Sequence, residues 1–243
     1  MKKNAYTEMF DNEIDHGWYV GTRKLAAKTV ENLISKKVKI LDLGCGTGGT
    51  MKYFIKRGYR NIYGIDNSKY AISFCKKRGI KNVRLGDVNK IPFEDKSFDA
   101  IICLDVLYHK GVDLEKAPKE IFRVLKEGGF LYSQEPAYDW LKSKHDEAIE
   151  TGKRFTKSEI SNIFKKNNFI KIKTSYFNTL LAIPIFVSRI KDNITKSDTE
   201  KSDVRKMSNI ANNLIYLSLT IETYFLKLFS LPFGISIISV WKK

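Results

Sequence analysis

Four glycines, Gly44, Gly46, Gly48 and Gly49, crowd into six positions directly after the apolar run 38–43. Glycine there permits a tight turn and lets backbone approach a ligand where any Cβ would collide. Gly44-x-Gly46-x-x-Gly49 also satisfies a dinucleotide fingerprint, although a plain strand-to-helix turn would need fewer glycines. Two acids extend the pattern. Asp66 closes a second apolar run, 20 residues after Gly46, where a carboxylate can accept hydrogen bonds from both hydroxyls of a ribose. Asp87 follows a third short run in Gly86-Asp87-Val88, where it can accept from an adenine amino group. Either acid alone is commonly a solvated loop residue. At matching strand ends they outline a nucleoside-shaped site on the carboxyl edge of a sheet.

The elements needed to position these residues are legible from hydrophobic periodicity. Apolar runs at 38–43, 62–65, 83–85, 98–104 and 130–133 read as strands, and 22–35, 49–56, 69–78 and 114–126 as the helices between them. That alternation implies βαβ units, a mostly parallel sheet and helices on both faces. Beyond Pro136, Thr156 and Glu159 form a capping box for a helix over 156–166, and 169–176 reads as a sixth strand. A long helix candidate spans 209–229 and a last strand 234–241. Three units follow: an N-terminal helical segment over 1–35, a core over 36–177 and 234–243, and a helical insertion over 178–233.

Composition sets outer limits. The 243 residues carry 43 basic and 27 acidic side chains, a net charge of +16, and are 43% hydrophobic. This balance is that of a globular protein and excludes a disordered tail or a polytopic membrane protein. The charge is uneven: residues 151–243 hold 16 basic and 6 acidic side chains, an excess of +10. Three scattered cysteines, with His16, His109 and His145 at no ligand spacing, suggest neither a disulfide framework nor a zinc site. A reducing, cytoplasmic setting and no secretory leader are expected.

Taken together the motifs resemble the class I S-adenosylmethionine-dependent methyltransferases, in their type 11 branch. Asp42-x-Gly44-x-Gly46-x-Gly48 is similar to the first family motif and Gly64-Ile65-Asp66-Asn67-Ser68 to the second. Gly86-Asp87-Val88, Ile91-Pro92-Phe93, Ser97-Phe98-Asp99 and the run from Glu120 to Gly129 resemble the branch in the same order, so the match covers roughly 38–135. The resemblance implies a Rossmann-like, doubly wound seven-stranded α/β sheet in order 3-2-1-4-5-7-6, with strand 7 antiparallel. It also implies roles. Asp42, with Gly44, Cys45, Gly46 and Gly48, receives the methionyl part; Asp66 and Asn67 hold the ribose; Asp87 and Val88 frame the adenine; Leu104 and Asp105 lie beside the amino acid moiety. His16 to Tyr19, with Gly21 and Arg23, is similar to a segment that closes over the cofactor, which brings in Tyr19 and Arg23. Gly17, Val20 and Thr22 depart from that segment's aromatic and arginine positions.

A methylsulfonium carries its own leaving group, so the protein's task is chiefly in-line positioning, worth on the order of 7–11 kcal/mol. A base is needed only for an alcohol or a protonated amine. No residue is universal to the family in that role. Tyr108 and His109 are the candidates beyond strand four, His109 alternatively serving only to bond a loop. Tyr138, Trp140 and His145 follow strand five at the same edge and are candidates for the acceptor pocket, the two aromatics alternatively packing under the insertion.

The acceptor expected is a small molecule, lipid or saccharide. Nucleic acid is not expected, because Leu104-Asp105-Val106-Leu107 lacks the Asn/Asp-Pro-Pro-aromatic signature. The rival readings are an NAD-dependent oxidoreductase using the fingerprint and a non-catalytic cofactor-binding module; Asp87, and the intact loop with both acids, argue against them. For 178–233 three readings stand: a cap over the acceptor pocket, a homodimer surface, or a peripheral membrane contact aided by the basic C-terminal part.

Overall fold

The computed structural model describes residues 3–142, 146, 149–183, 186 and 208–243. Seven strands form one sheet in the order β3-β2-β1-β4-β5-β7-β6. They are β1 (Ile40–Leu43), β2 (Ile62–Asp66), β3 (Val83–Leu85), β4 (Phe98–Leu104), β5 (Leu125–Pro136), β6 (Ile170–Phe177) and β7 (Ser236–Lys242). β7 runs antiparallel to both β5 and β6, and the remaining pairs are parallel. This is the expected topology. The helices are α1 (Lys3–Asn12), α2 (Gly17–Glu31), α3 (Gly49–Lys56), α4 (Lys69–Lys77), α5 (Ala117–Val124), α6 (Lys157–Lys165) and α7 (Asn209–Leu228).

Strand alternation divides the core into two layers. Leu41, Leu43, Ile101, Cys103 and Leu131 face α5 and α6 through Ile121 and Phe164. Ile40, Ile102, Tyr132 and Val240 face α2, α3 and α7 through Leu25, Phe54 and Leu219. Both faces of β1 and β4 are buried, which is why those strands read as continuous apolar runs. Asp42 interrupts that run. It sits in register between Gly64 and Ile102 on the face of Ile40 and is the one charged residue of β1.

Three expectations need correction. The helix expected over 22–35 is α2, Gly17–Glu31. It begins earlier because the His16 side chain caps it, accepting from Trp18 N at 3.3 Å. Gly17 lies so close to α7 that a Cβ would stand 2.4 Å from the Asn212 carbonyl oxygen. The helix expected over 114–126 is shortened to α5, with Pro118 in its first turn; β5 already starts at Leu125, which pairs with Phe98. Finally, the helical segment expected over 1–35 holds a separate first helix, α1, that the expectation leaves without bounds of its own. The capping box at Thr156 and Glu159 is present. The described part of the segment between β6 and β7 is mainly α7, which packs along α2 and runs in its direction.

Candidate functional site

β1 delivers Asp42 and the glycine loop to the carboxyl edge of the sheet, beside β4, where the strand order reverses. Such a switch point leaves a crevice between loops that diverge to opposite faces. The loop conformation needs glycine: Gly44, Gly46 and Gly48 have φ of 72, 53 and 88°. At Gly44 a Cβ would also meet Val106 at 2.4 Å. Gly48 is the N-cap of α3, and the Cys45 thiol lies buried 3.9 Å from that of Cys75.

Carboxylates gather around this loop. Asp66, at the end of β2, accepts from Gly46 N at 3.0 Å and Ser68 N at 2.9 Å, while burial pushes its pKa up. Asp42 is buried, and its Oδ2 has no hydrogen-bond partner. Desolvation, followed by the nearby charges of Glu13 and Asp66, pushes its pKa up to about 8. Glu13 is the third acid. Thr47 Oγ1 donates to it, and Arg78 pairs with it at 2.9 Å. Arg23 is 4% exposed, donates to the carbonyls of Glu13 and Ile14, and leaves its Nε and one Nη without partners.

Helix α1 lies directly on this constellation. The Tyr6 hydroxyl donates to Asp66 Oδ1 at 3.2 Å, and the Met9 thioether stands 3.0 Å from where a Cβ on Gly46 would be. A tyrosine hydroxyl therefore occupies one of the two carboxylate oxygens of Asp66. Phe10 stacks on Phe74 at 4.7 Å, and Arg78 donates to the Phe10 and Thr47 carbonyls, tying α1 to α4 and to the loop. Tyr6, Met9, Phe10 and Glu13 recur at the i, i+3, i+4, i+7 spacing of one helix face. That stripe is the signal the sequence reading passed over.

Other expected residues are more scattered. Asn67 and Asp87 are exposed, and Asp87 Oδ1 accepts from Asn89 N at 2.8 Å, an Asx-type turn. Val88 packs half-buried on the core. Tyr19 lies edge-on to His16 at 5.8 Å, and burial pushes its phenol up. Leu104 packs half-buried on the α2 side. Asp105 has φ of 55°, accepts from Gln134 Nε2 at 3.4 Å, and is pushed up to about 7 by desolvation. The buried Glu135 accepts from Leu107 N at 3.0 Å and Tyr108 N at 3.2 Å, which fixes the chain beyond Asp105. Tyr108 and His109 stack at 4.1 Å; His109 bridges to Thr151, and desolvation lowers its pKa to about 4. Tyr138 stacks on Tyr176 at 5.1 Å, Trp140 is 67% exposed, and His145 lies outside the described residues.

Residues 41–133 match the family model described as a methyltransferase domain. Among curated relatives, the chain is 36% identical over 115 residues to a sterol 24-C-methyltransferase of Aspergillus fumigatus, covering 44% of this chain and 29% of that one. It is 28% identical over 189 residues to cycloartenol-C-24-methyltransferase 1 of Oryza sativa subsp. japonica, covering 65% and 54%. The chain thus spans about a third to a half of such relatives. Among solved structures, phosphoethanolamine N-methyltransferase 2 of Haemonchus contortus, in complex with phosphomonomethylethanolamine and S-adenosylhomocysteine, matches at TM-score 0.64 and 17% identity, covering 100% of this chain and 58% of that one. The [4+2]-cyclase SpnF matches at TM-score 0.58 and 17% identity, covering 91% and 80%. Fold alone therefore does not decide the reaction. The matched motifs, the sheet order and the glycine loop agree on one assignment: residues 41–133 carry a methyltransferase domain, similar to the type 11 branch of the class I S-adenosylmethionine-dependent methyltransferases.

Proposed function

We propose that the protein binds S-adenosylmethionine in this crevice and transfers its methyl group to a small-molecule, lipid or saccharide acceptor. The carrying observation is the unpaired Oδ2 of buried Asp42, set among Asp66 and Glu13 beside glycine backbone. Arg78 already pairs with Glu13, which leaves buried Asp42 as the acid whose ionised form a ligand cation would stabilise. The donor brings an ammonium and a sulfonium. A nicotinamide dinucleotide would instead bring a pyrophosphate against those carboxylates, which argues against the oxidoreductase reading. Loop atoms, not an anion cradle, are what such a ligand needs.

When bound, the donor supplies an electrophilic methyl carbon with a neutral thioether as leaving group. The chain's residues do the rest. Asp42 faces the methionyl ammonium, and Asp66 takes the ribose hydroxyls once Tyr6 withdraws from it. Arg23, with unpaired nitrogens, is suited to the methionyl carboxylate. Where the acceptor must lose a proton, Asp105 is better poised than His109: desolvation pushes its carboxyl up to about 7 and holds the His109 imidazole down at about 4. Tyr138 and Trp140, in ring contact at 5.7 Å, offer an apolar wall to an acceptor beyond β5. The sterol methyltransferase relatives favour a lipid acceptor.

Calorimetric titration with S-adenosylmethionine and with NAD tests the reading. Binding of the first and not the second is expected, together with transfer of labelled methyl to lipid-extract fractions. Binding of NAD alone would refute it.

A further inference from the structure

Helix α7 is apolar on two opposite sides. At ~3.6 residues per turn, Leu219, Thr223 and Leu226 point into the protein against α2 and are buried. The opposite side presents Ile210, Leu214, Leu217, Ile221, Tyr224 and Leu228, 39–81% exposed. These six recur at the helical spacing with no charged residue among them. The sole carboxylate of α7, Glu222, is buried and accepts from Thr179 N and Leu180 N at 3.0 and 2.7 Å. A helix hydrophobic on all sides is ordinarily enclosed. A continuous apolar stripe of this length exceeds what a soluble monomer usually leaves bare.

Charge indicates what covers it. Lys24 and Lys28 of α2 rise along one edge of the stripe, their ammonium groups 4.8 Å from the Tyr216 ring and 4.2 Å from the Tyr224 ring. Lys24 Nζ also donates to the Tyr216 hydroxyl at 2.8 Å. Lys227, exposed, extends the same edge. Lysines and tyrosines bordering an apolar face are the residues that sit at headgroup level when a helix lies in a bilayer interface. Among the described residues no helix is long and apolar enough to cross a membrane, so the geometry is that of a helix lying flat. A second copy of this chain would set the lysine edges of two net-basic molecules near each other, and an anionic surface would neutralise them.

We infer that the outward face of α7, edged by Lys24, Lys28 and Lys227, docks on an anionic membrane surface. The docking does not depend on the methyl-transfer reading, since it uses no residue of the crevice. It does bear on the crevice, because the α7 end joins the start of α2: Asn212 Oδ1 accepts from Gly17 N at 2.6 Å, and Asn212 Nδ2 donates to Asp15 O at 2.9 Å. A surface that holds α7 thus bears on the segment carrying Tyr19 and Arg23.

The test is flotation of the full chain, without donor, on vesicles of phosphatidylcholine with and without phosphatidylserine, at low and high salt. Binding only to the phosphatidylserine vesicles, weakened by salt, is expected. Lys24→Glu with Lys28→Glu should lower partitioning roughly tenfold or more. Leu217→Asp with Leu228→Asp should abolish it, with unfolding midpoint and donor affinity unchanged; should that pair fail to fold, Leu217→Ala with Leu228→Ala keeps the test open and should still reduce binding. Failure to float, partitioning indifferent to all three variants, or a dimer in solution that Leu217→Asp dissociates while vesicles go unbound would each overturn the inference. Lost flotation with intact donor binding would leave the methyl-transfer reading standing.

Discussion

Asp42 offers a direct way to ask whether the crevice is built for a cation. Desolvation pushes its carboxyl up to about 8 in the ligand-free protein, so at pH 7 most molecules hold it protonated. A methionyl ammonium and a sulfonium favour the carboxylate, so binding must expel that proton. The sign follows: a group whose pKa falls on binding releases protons, and affinity rises with pH across the interval between the bound and free values. The slope is at most about tenfold per pH unit, about 1.4 kcal/mol. Between pH 6 and 8 the dissociation constant should fall by about ten- to a hundredfold. Above about pH 8 the donor's own α-amino group loses its charge and the gain levels off. Titration calorimetry in two buffers of different ionisation enthalpy at pH 7 reads the proton directly, as a difference in apparent heat. Asp42→Asn keeps the shape, cannot ionise, and should bind weakly with a nearly flat pH profile and little proton release. Affinity that falls as pH rises from 6 to 8, or heats identical in the two buffers, would refute the reasoning.

Other consequences are open to measurement. Tyr6→Phe removes the hydroxyl that competes for Asp66, a charge-assisted bond worth about 1.5–3 kcal/mol at most, so donor affinity should rise several-fold; weaker binding would mean that Tyr6 belongs to the bound site instead. Gly44→Ala places a methyl 2.4 Å from Val106 at φ of 72° and should cost about 1–3 kcal/mol of stability in urea unfolding; an unchanged midpoint would contradict the loop geometry. Asp105 is a base only when ionised, so the rate with a proton-bearing acceptor should climb through about pH 7, and Asp105→Asn should remove that limb while leaving donor affinity within a few-fold. A pH profile unchanged by the substitution would assign the proton elsewhere.

Much of the scaffold could be read from residue order. β4 lies at its expected bounds because the run Phe98 to Leu104 has two buried faces and ends abruptly, and β3 lies at its expected bounds although it is half-buried to exposed. Gly44, Gly46 and Gly48 were legible for the same kind of reason, since a left-handed backbone demands a residue without a side chain. Asp66 was legible as a carboxylate at a strand end and Asp42 through the family resemblance, and the structure brings both to the loop, whereas Asp87, read in the same way as Asp66, stands exposed in its own turn. Other residues depended on contacts distant in the chain. The start of α2 hangs on Gly17 meeting Asn212, 195 positions away. Glu13 becomes a member of the carboxylate cluster only because Arg78 and Thr47 come to it from α4 and the glycine loop.

Local pattern thus determined the strands, the helices between them, the glycine loop and the acids at its rim, because periodicity and backbone geometry act over a few residues. Tertiary structure decided what those acids experience. Desolvation raises Asp42, a helix with only a faint stripe of its own lays Tyr6 on Asp66, and α7 buries one side against α2 while leaving an equally apolar side uncovered. Burial and Coulomb interaction depend on distance in space, which sequence separation does not encode until the chain has folded.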